Sequence, residues 1–223
     1  MNSRRTPAQR PGPTGGKRDE NRRARTAALA EAALRLFVAR GVESVTIDQI
    51  VAEAKVAKGS FYRYFKDKQD VLEALLSKLA PEMRSAFDEC LASIERAEGA
   101  EALPPAYEAL ARRLAALIFE QPALALLYLS ESRGSASGAE PLRALADELV
   151  ERALALTAAA SAHGLLRPVD PRIAAITVVG AVEKLLFETL RGRELGEASS
   201  VAQSLISIVL FGLGRSGAAD RSG

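Results

Sequence analysis

Two helical segments too short to stand alone, joined by a tight turn, occupy one stretch of the chain: TIDQIVAEAKVAKGSFYRYF, residues 46–65. Thr46 and Gln49 form a T-x-x-Q capping box that opens a helix over 47–53, with Ile47 and Ile50 as its apolar residues. A turn at 54–56 leads into a second helix over 57–63. Helices this short are marginal in water, so they must lean on each other and on a third element. That arrangement is a helix-turn-helix, whose second helix is shaped to enter the major groove of DNA.

The residues sort onto faces that suit the arrangement. Phe61 and Phe65 lie four apart and turn inward with Ile47, Ile50, Val51 and Val56. Lys58, Ser60, Tyr62 and Arg63 are left for the other faces, and Gly59 allows close approach of the helix backbone. The hydroxyls of Tyr62 and Tyr64 can donate to phosphate oxygens, and Lys68, with the backbone N–H groups around it, can hold another. Thr46 occupies an analogous helix start. Charge is lopsided in the same sense: residues 1–68 carry a net +8 and residues 69–223 a net −6, within a total of +2. A basic front end suits a polyanion.

The rest of the pattern is helical throughout, without strand alternation, internal repeat or enough cysteine for an internal disulfide. Residues 1–17 lack core formers and predict a disordered basic tail, and 216–223 a short disordered tail. Helices are expected at 19–40, with Gly41 as an αL cap, and then at 47–53 and 57–63. A fourth runs from an Asp67 cap to Pro81, which either kinks it or opens a new helix reaching about 97. Residues 95–105 read as a loop, followed by helices at 105–120, 122–133, 140–163, 171–191 and 198–213. The expected organisation is an all-α chain: a helix-turn-helix domain over 18–66 and a helical effector-binding and dimerisation domain over 67–215. Cys90 reads as apolar filler and His163 as a helix-end residue. No signal peptide or membrane span is expected, and the location expected is cytoplasmic.

The stretch TIDQIVAEAKVAKGSFYRYFKDKQDVLEALL resembles the helix-turn-helix signature of the TetR family of bacterial transcriptional regulators, without gaps from about Leu34 to Leu76. GLLRPVDPRIAAITVVGAVEKLLFETL resembles the family's penultimate helix more loosely. The resemblance implies phosphate contacts from Thr46, Tyr62, Tyr64 and Lys68, and groove contacts from Ala57, Lys58, Gly59, Ser60 and Arg63. Two residues depart from the family pattern. Lys55 stands where Gly is common, and there it can add a phosphate contact; Ala57 stands where a Ser or Thr cap is common.

The resemblance also implies a body that dimerises and takes a small molecule. Ile173, Ile176, Gly180, Phe187 and Leu190 on one helix, and Val201, Leu205, Ile208, Val209 and Gly212 on the last, make both apolar around most of their circumference. A homodimer closed by these two helices is expected, with Ile173, Ile176, Gly180, Leu205, Ile208 and Gly212 in the interface. Phe87, Tyr107, Phe119, Tyr128 and Phe187 are candidates for the wall of an effector cavity. No metal spacing, cofactor motif or catalytic constellation is present, so neither an enzyme nor a cofactor is expected. The expected function is a repressor that binds a palindromic operator and is released by a small apolar or amphipathic effector. The alternative is a helical ligand-binding or scaffold protein that no longer reads DNA.

Overall fold

A computed structural model describes residues 16–135, 137–164 and 169–194, together with Ser204 and Ser207. Its described elements are helices: α1 (Lys17–Arg40), α2 (Ile47–Glu53), α3 (Lys58–Tyr64), α4 (Lys68–Glu95), α5 (Leu103–Glu120), α6 (Pro122–Glu131), α7 (Glu140–Ala162) and α8 (Pro171–Leu190), with a 3-10 turn at Ala100–Ala102. Of the tails expected at 1–17 and 216–223 only Gly16 and Lys17 are described, and Lys17 opens α1 instead; of the expected last helix only Ser204 and Ser207, both helical, are described.

One apolar cluster runs through the molecule. At its amino-terminal end, Leu29, Ala33 and Phe37 of α1 meet Ile50 and Val51 of α2, Phe61 and Phe65 around α3, and Val71 and Leu72 of α4. Phe37 and Phe61 are the largest of the fully enclosed side chains, and such rings let a small unit bury much area with few residues. The cluster continues along α4 through Leu79, Met83, Phe87 and Ile94 to Leu124, Leu142, Leu149 and Leu156 of the body.

Three expectations about local structure change. Gly41 ends α1 with φ +77 and ψ +154, outside the αL region and in one that glycine alone occupies comfortably. A Cβ there would also lie 2.9 Å from Glu131 Oε1 at the end of α6. Of the two courses expected at Pro81 the new helix is excluded, because α4 is continuous over 28 residues with Pro81 inside it. The exposed ring removes one N–H, but Leu79, Ala80 and Met83 beside it are buried, and that packing carries the helix through. Finally, the stretch between α4 and α5 holds the 3-10 turn, and α5 begins at Leu103 with Pro in its first turn.

Ion pairs lace the outside of the body. Arg84 grips Glu148 with two parallel bonds, Nε to Oε1 at 2.7 Å and Nη2 to Oε2 at 2.8 Å, which ties α4 to α7. Arg152 reaches Asp88 and Glu148 from the α7 side. The pull of Arg84 and Arg152 holds the Glu148 carboxyl below its ordinary pKa, against the opposing effect of its partial burial.

Candidate nucleic-acid interface

Local chemistry builds this surface one helix end at a time. The Thr46 hydroxyl accepts from the Gln49 N–H at 3.3 Å, and Gln49 Oε1 accepts from the Thr46 N–H at 2.9 Å, completing the capping box. The hydroxyl keeps its own O–H as a donor on an exposed residue.

At the other end of α2 the chain reverses in a Schellman motif. Val56 N–H donates to Val51 O at 3.0 Å and Lys55 N–H to Ala52 O at 3.1 Å. This puts Lys55 at φ +54, and it is the one non-glycine residue with positive φ among those described. The motif explains why glycine suits position 55. Lys55 meets the same geometry at a conformational cost.

Ala57 then caps α3 with no side-chain bond to the first turn, as an alanine must. In α3, Phe61 is fully enclosed and Phe65, just past the helix, is 4% exposed. Lys58, Gly59, Tyr62 and Arg63 are exposed, while Ser60 and Tyr64 are half-buried. Tyr62 is 57% exposed although its ring touches that of Phe61 edge-on at 5.5 Å. The hydroxyl end of a braced ring is thereby offered outward.

Two side chains have partners that sequence reasoning missed. Lys58 Nζ lies 2.7 Å from Asp48 Oδ1 across the turn. Lys68 turns away from any phosphate approaching the start of α4: its ammonium donates to Val42 O at 2.6 Å, Val45 O at 2.9 Å and Glu43 O at 3.1 Å. Those three carbonyls take up its three N–H bonds, so the expected phosphate contact from the Lys68 ammonium is replaced by a structural one. The start of α4 is capped instead by Asp67, whose carboxylate accepts from Asp70 N–H at 2.9 Å.

The loop between α6 and α7 presses on this same region. Gly138, at φ +89, lies against Val42 and Lys68, and Gln69 Nε2 donates to Glu140 Oε2 at 2.6 Å. The body therefore touches the reading unit at the α1–α2 turn and at the first turn of α4.

In the body the five aromatic candidates do not converge. Phe87 lines a cleft of about 270 Å³ between α4 and α7, together with Asp88, Leu91, Glu148, Glu151, Arg152 and Ala155. Tyr128 is elsewhere, with its hydroxyl donating to Glu183 Oε1 of α8 at 2.8 Å and Arg133 pairing with the same carboxylate. Tyr107 is half-buried and lies near Cys90, whose thiol burial pushes up to about 11. Phe119 is 44% exposed at the end of α5, and Phe187 sits between the Lys184 and Arg191 cations. Of the expected interface residues, Ile173 and Ile176 on α8 are 62% and 53% exposed and Gly180 is half-buried. Leu205, Ile208 and Gly212 lie outside the described residues.

Among the described residues no group of three or more His, Cys, Asp or Glu could hold a metal ion. No single described helix is long and apolar enough to cross a membrane; α5 and α6 pass such a test only as a pair bent by 104°.

A capped short helix, a Schellman turn and a second short helix with a basic, aromatic outer face define a helix-turn-helix unit. Residues 29–75 match the family model for bacterial regulatory proteins of the tetR family. They are similar to the HTH-type transcriptional regulator SrpR of Pseudomonas putida, 45% identical over 49 residues, or 22% of this chain and 23% of that protein. Thus the alignment spans under a quarter of that relative. An uncharacterized HTH-type regulator of Bacillus subtilis (strain 168), YhgD, aligns over 83% of this chain and 94% of its own length at 22% identity. Among solved structures, the SmeT–triclosan complex superposes with a TM-score of 0.64, at 20% identity and over 87% of this chain and 93% of that one. The family match thus covers residues 29–75, and over most of its length the chain shares the fold of TetR-family regulators of known structure.

Proposed function

We propose that this chain is a homodimeric repressor that binds a palindromic operator in double-stranded DNA and is released by a small apolar or amphipathic effector. Gly59 carries the DNA-reading half of the proposal. It sits inside α3, where glycine costs about 0.5–1 kcal/mol relative to alanine. Its φ is not positive, and a Cβ built on it meets nothing within 4 Å. Nothing inside the chain needs glycine there, so the missing side chain serves something that comes from outside and lies flat on the helix. The exposed Lys58, Tyr62 and Arg63 around it suit a groove wall lined with phosphates. In this reading Thr46, Lys55, Tyr62 and Tyr64 position the unit on the backbone, and Ala57, Lys58, Gly59, Ser60 and Arg63 face the bases.

Dimerisation is supported by the exposure of Ile173 and Ile176 on one face of α8, with two-fold pairing setting half-sites about 34–36 Å apart. For the effector, the Phe87 cleft offers an apolar floor in Phe87, Leu91 and Ala155 that suits an apolar group. The complex of SmeT with triclosan supports a small apolar compound as the kind of ligand such a body accepts. A regulator of this kind acts in the cytoplasm and performs no chemistry. A ligand-binding scaffold that had given up DNA would have no use for the empty space over Gly59.

The test separates stability from binding. Gly59→Ala should raise the unfolding free energy by about 0.5–1 kcal/mol and yet weaken binding to DNA selected from genomic fragments at least tenfold. Unchanged DNA affinity in the stabilised variant would remove the basis for a DNA-facing α3.

A further inference from the structure

Asp48 stands in the first turn of α2, and Lys58 is the first residue of α3. Nζ of Lys58 lies 2.7 Å from Oδ1 and 2.9 Å from Oδ2 of Asp48, so the pair spans the helix-turn-helix. Their side chains are 66% and 56% exposed for Asp48 and Lys58 respectively. An ion pair this open contributes little to stability, so folding alone does not explain it.

Residues 46–65 carry two carboxylates, Asp48 and Glu53, against three cations, Lys55, Lys58 and Arg63. Glu53 is engaged by Arg35 of α1 at 3.2 Å. Asp48 is the carboxylate that shares a surface with the outward side chains of α3. On a face that meets a polyanion, such a group opposes binding to phosphates, and it also occupies the lysine that would otherwise neutralise one.

We propose that Asp48 is a specificity-determining residue: it withholds the Lys58 ammonium from phosphates in sequence-independent complexes and releases it only to a base edge rich in acceptors, the O6 and N7 of guanine. The inference rests on the DNA-reading function above. Backbone-only binding grows with each phosphate neutralised, whereas base readout depends on where a cation is aimed. A tether that breaks only for a better acceptor set lowers the first and spares the second. The ratio of specific to non-specific binding rises, and that ratio is what finds one site in a genome. Asp48 acts here through Lys58, as a positioning group.

No operator is needed for the test. Binding of full-length protein to a mixed-sequence duplex is measured by fluorescence anisotropy across a salt series. With Asp48→Asn, affinity should rise about eightfold at about 0.1 M salt, and the log–log salt slope should steepen by about 0.9, as one further phosphate contact requires. Asp48→Ser is the second variant, and both are checked for an unchanged melting profile. In a Lys58→Ala background the gain should vanish. Unchanged affinity and slope in both Asp48 variants would overturn the proposal, as would a full gain that survives Lys58→Ala, because Asp48 would then act by repulsion alone. Wild-type protein that fails to bind duplex DNA even at low salt would instead overturn the DNA-reading function, and this inference with it.

Discussion

The Lys68 ammonium sits 2.6 Å from the carbonyl oxygen of Val42, a residue 26 positions earlier in the chain, and bonds Glu43 and Val45 in the same turn. One cation therefore closes the turn after α1 and fastens it to the start of α4. Lys68→Met keeps most of the stem and removes the charge. It should destabilise the fold by about 1.5–3 kcal/mol, the range for hydrogen bonds to a charged group. Urea unfolding measures it, and a variant as stable as wild type would show that water replaces the ammonium at no loss.

Lys55→Gly should stabilise the protein. The residue is held at φ +54 by the bonds from Lys55 and Val56 back into α2. A side chain in the left-handed region costs about 1–2 kcal/mol, and glycine's greater freedom when unfolded returns part of it. A net gain of about 0.5–1 kcal/mol is expected as a higher urea midpoint at constant slope. A lower midpoint would mean that the Lys55 side chain makes a compensating contact.

Ala57→Ser supplies a hydroxyl at a cap position that has the extended backbone a cap requires, φ −69 and ψ 146. The expected gain is about 1 kcal/mol. Protection of the first α3 amides from hydrogen exchange should increase, and unchanged protection at those amides would argue against the cap.

Ile176→Glu places a charge on a residue that is 53% exposed in the single chain, so the monomer should fold normally. In a dimer closed through α8 the same charge would be buried and unpaired, at a cost of several kcal/mol. Sedimentation should give a folded monomer with weakened DNA binding. A variant that remains dimeric would move the interface away from this face.

Acid should loosen the α4–α7 seam. The Arg84 bonds lower the Glu148 pKa on folding, so its stabilisation is fully present above the unfolded value of about 4.5 and is lost as pH falls through the lower folded one. Glu148→Gln should remove that part of the pH dependence. Melting curves from pH 7 down to about 3 test it, and parallel profiles for both proteins would assign the acid sensitivity elsewhere.

The parts of this surface that were legible in the sequence are those built from near neighbours. The Thr46–Gln49 box and the inward Phe61 and Phe65 follow from spacings of a few residues, and the glycine-like position of Lys55 from the family resemblance. What was not legible depends on distant partners. Nothing local to Lys68 announces three carbonyls at 42, 43 and 45, and nothing near Tyr128 announces Glu183, 55 positions away. The aromatic candidates of the body stand apart for the same reason: their periodicity reports burial but not which side chains share a wall. At Pro81 the local rule left two courses open, and the packing of Leu79, Ala80 and Met83 accompanies the one taken, a continuous helix.

The unbroken course of α4 through Pro81 has a mechanical meaning. A helix of 28 residues is about 42 Å long, comparable to the distance between two successive major-groove faces of DNA. Tilting such a rod by about 5° at its Glu95 end displaces the Lys68 end by about 4 Å, and Lys68 carries the turn after α1 with it. Moving as one rod, α4 would deliver a small change of angle in the body to the reading unit as a translation close to one base-pair step.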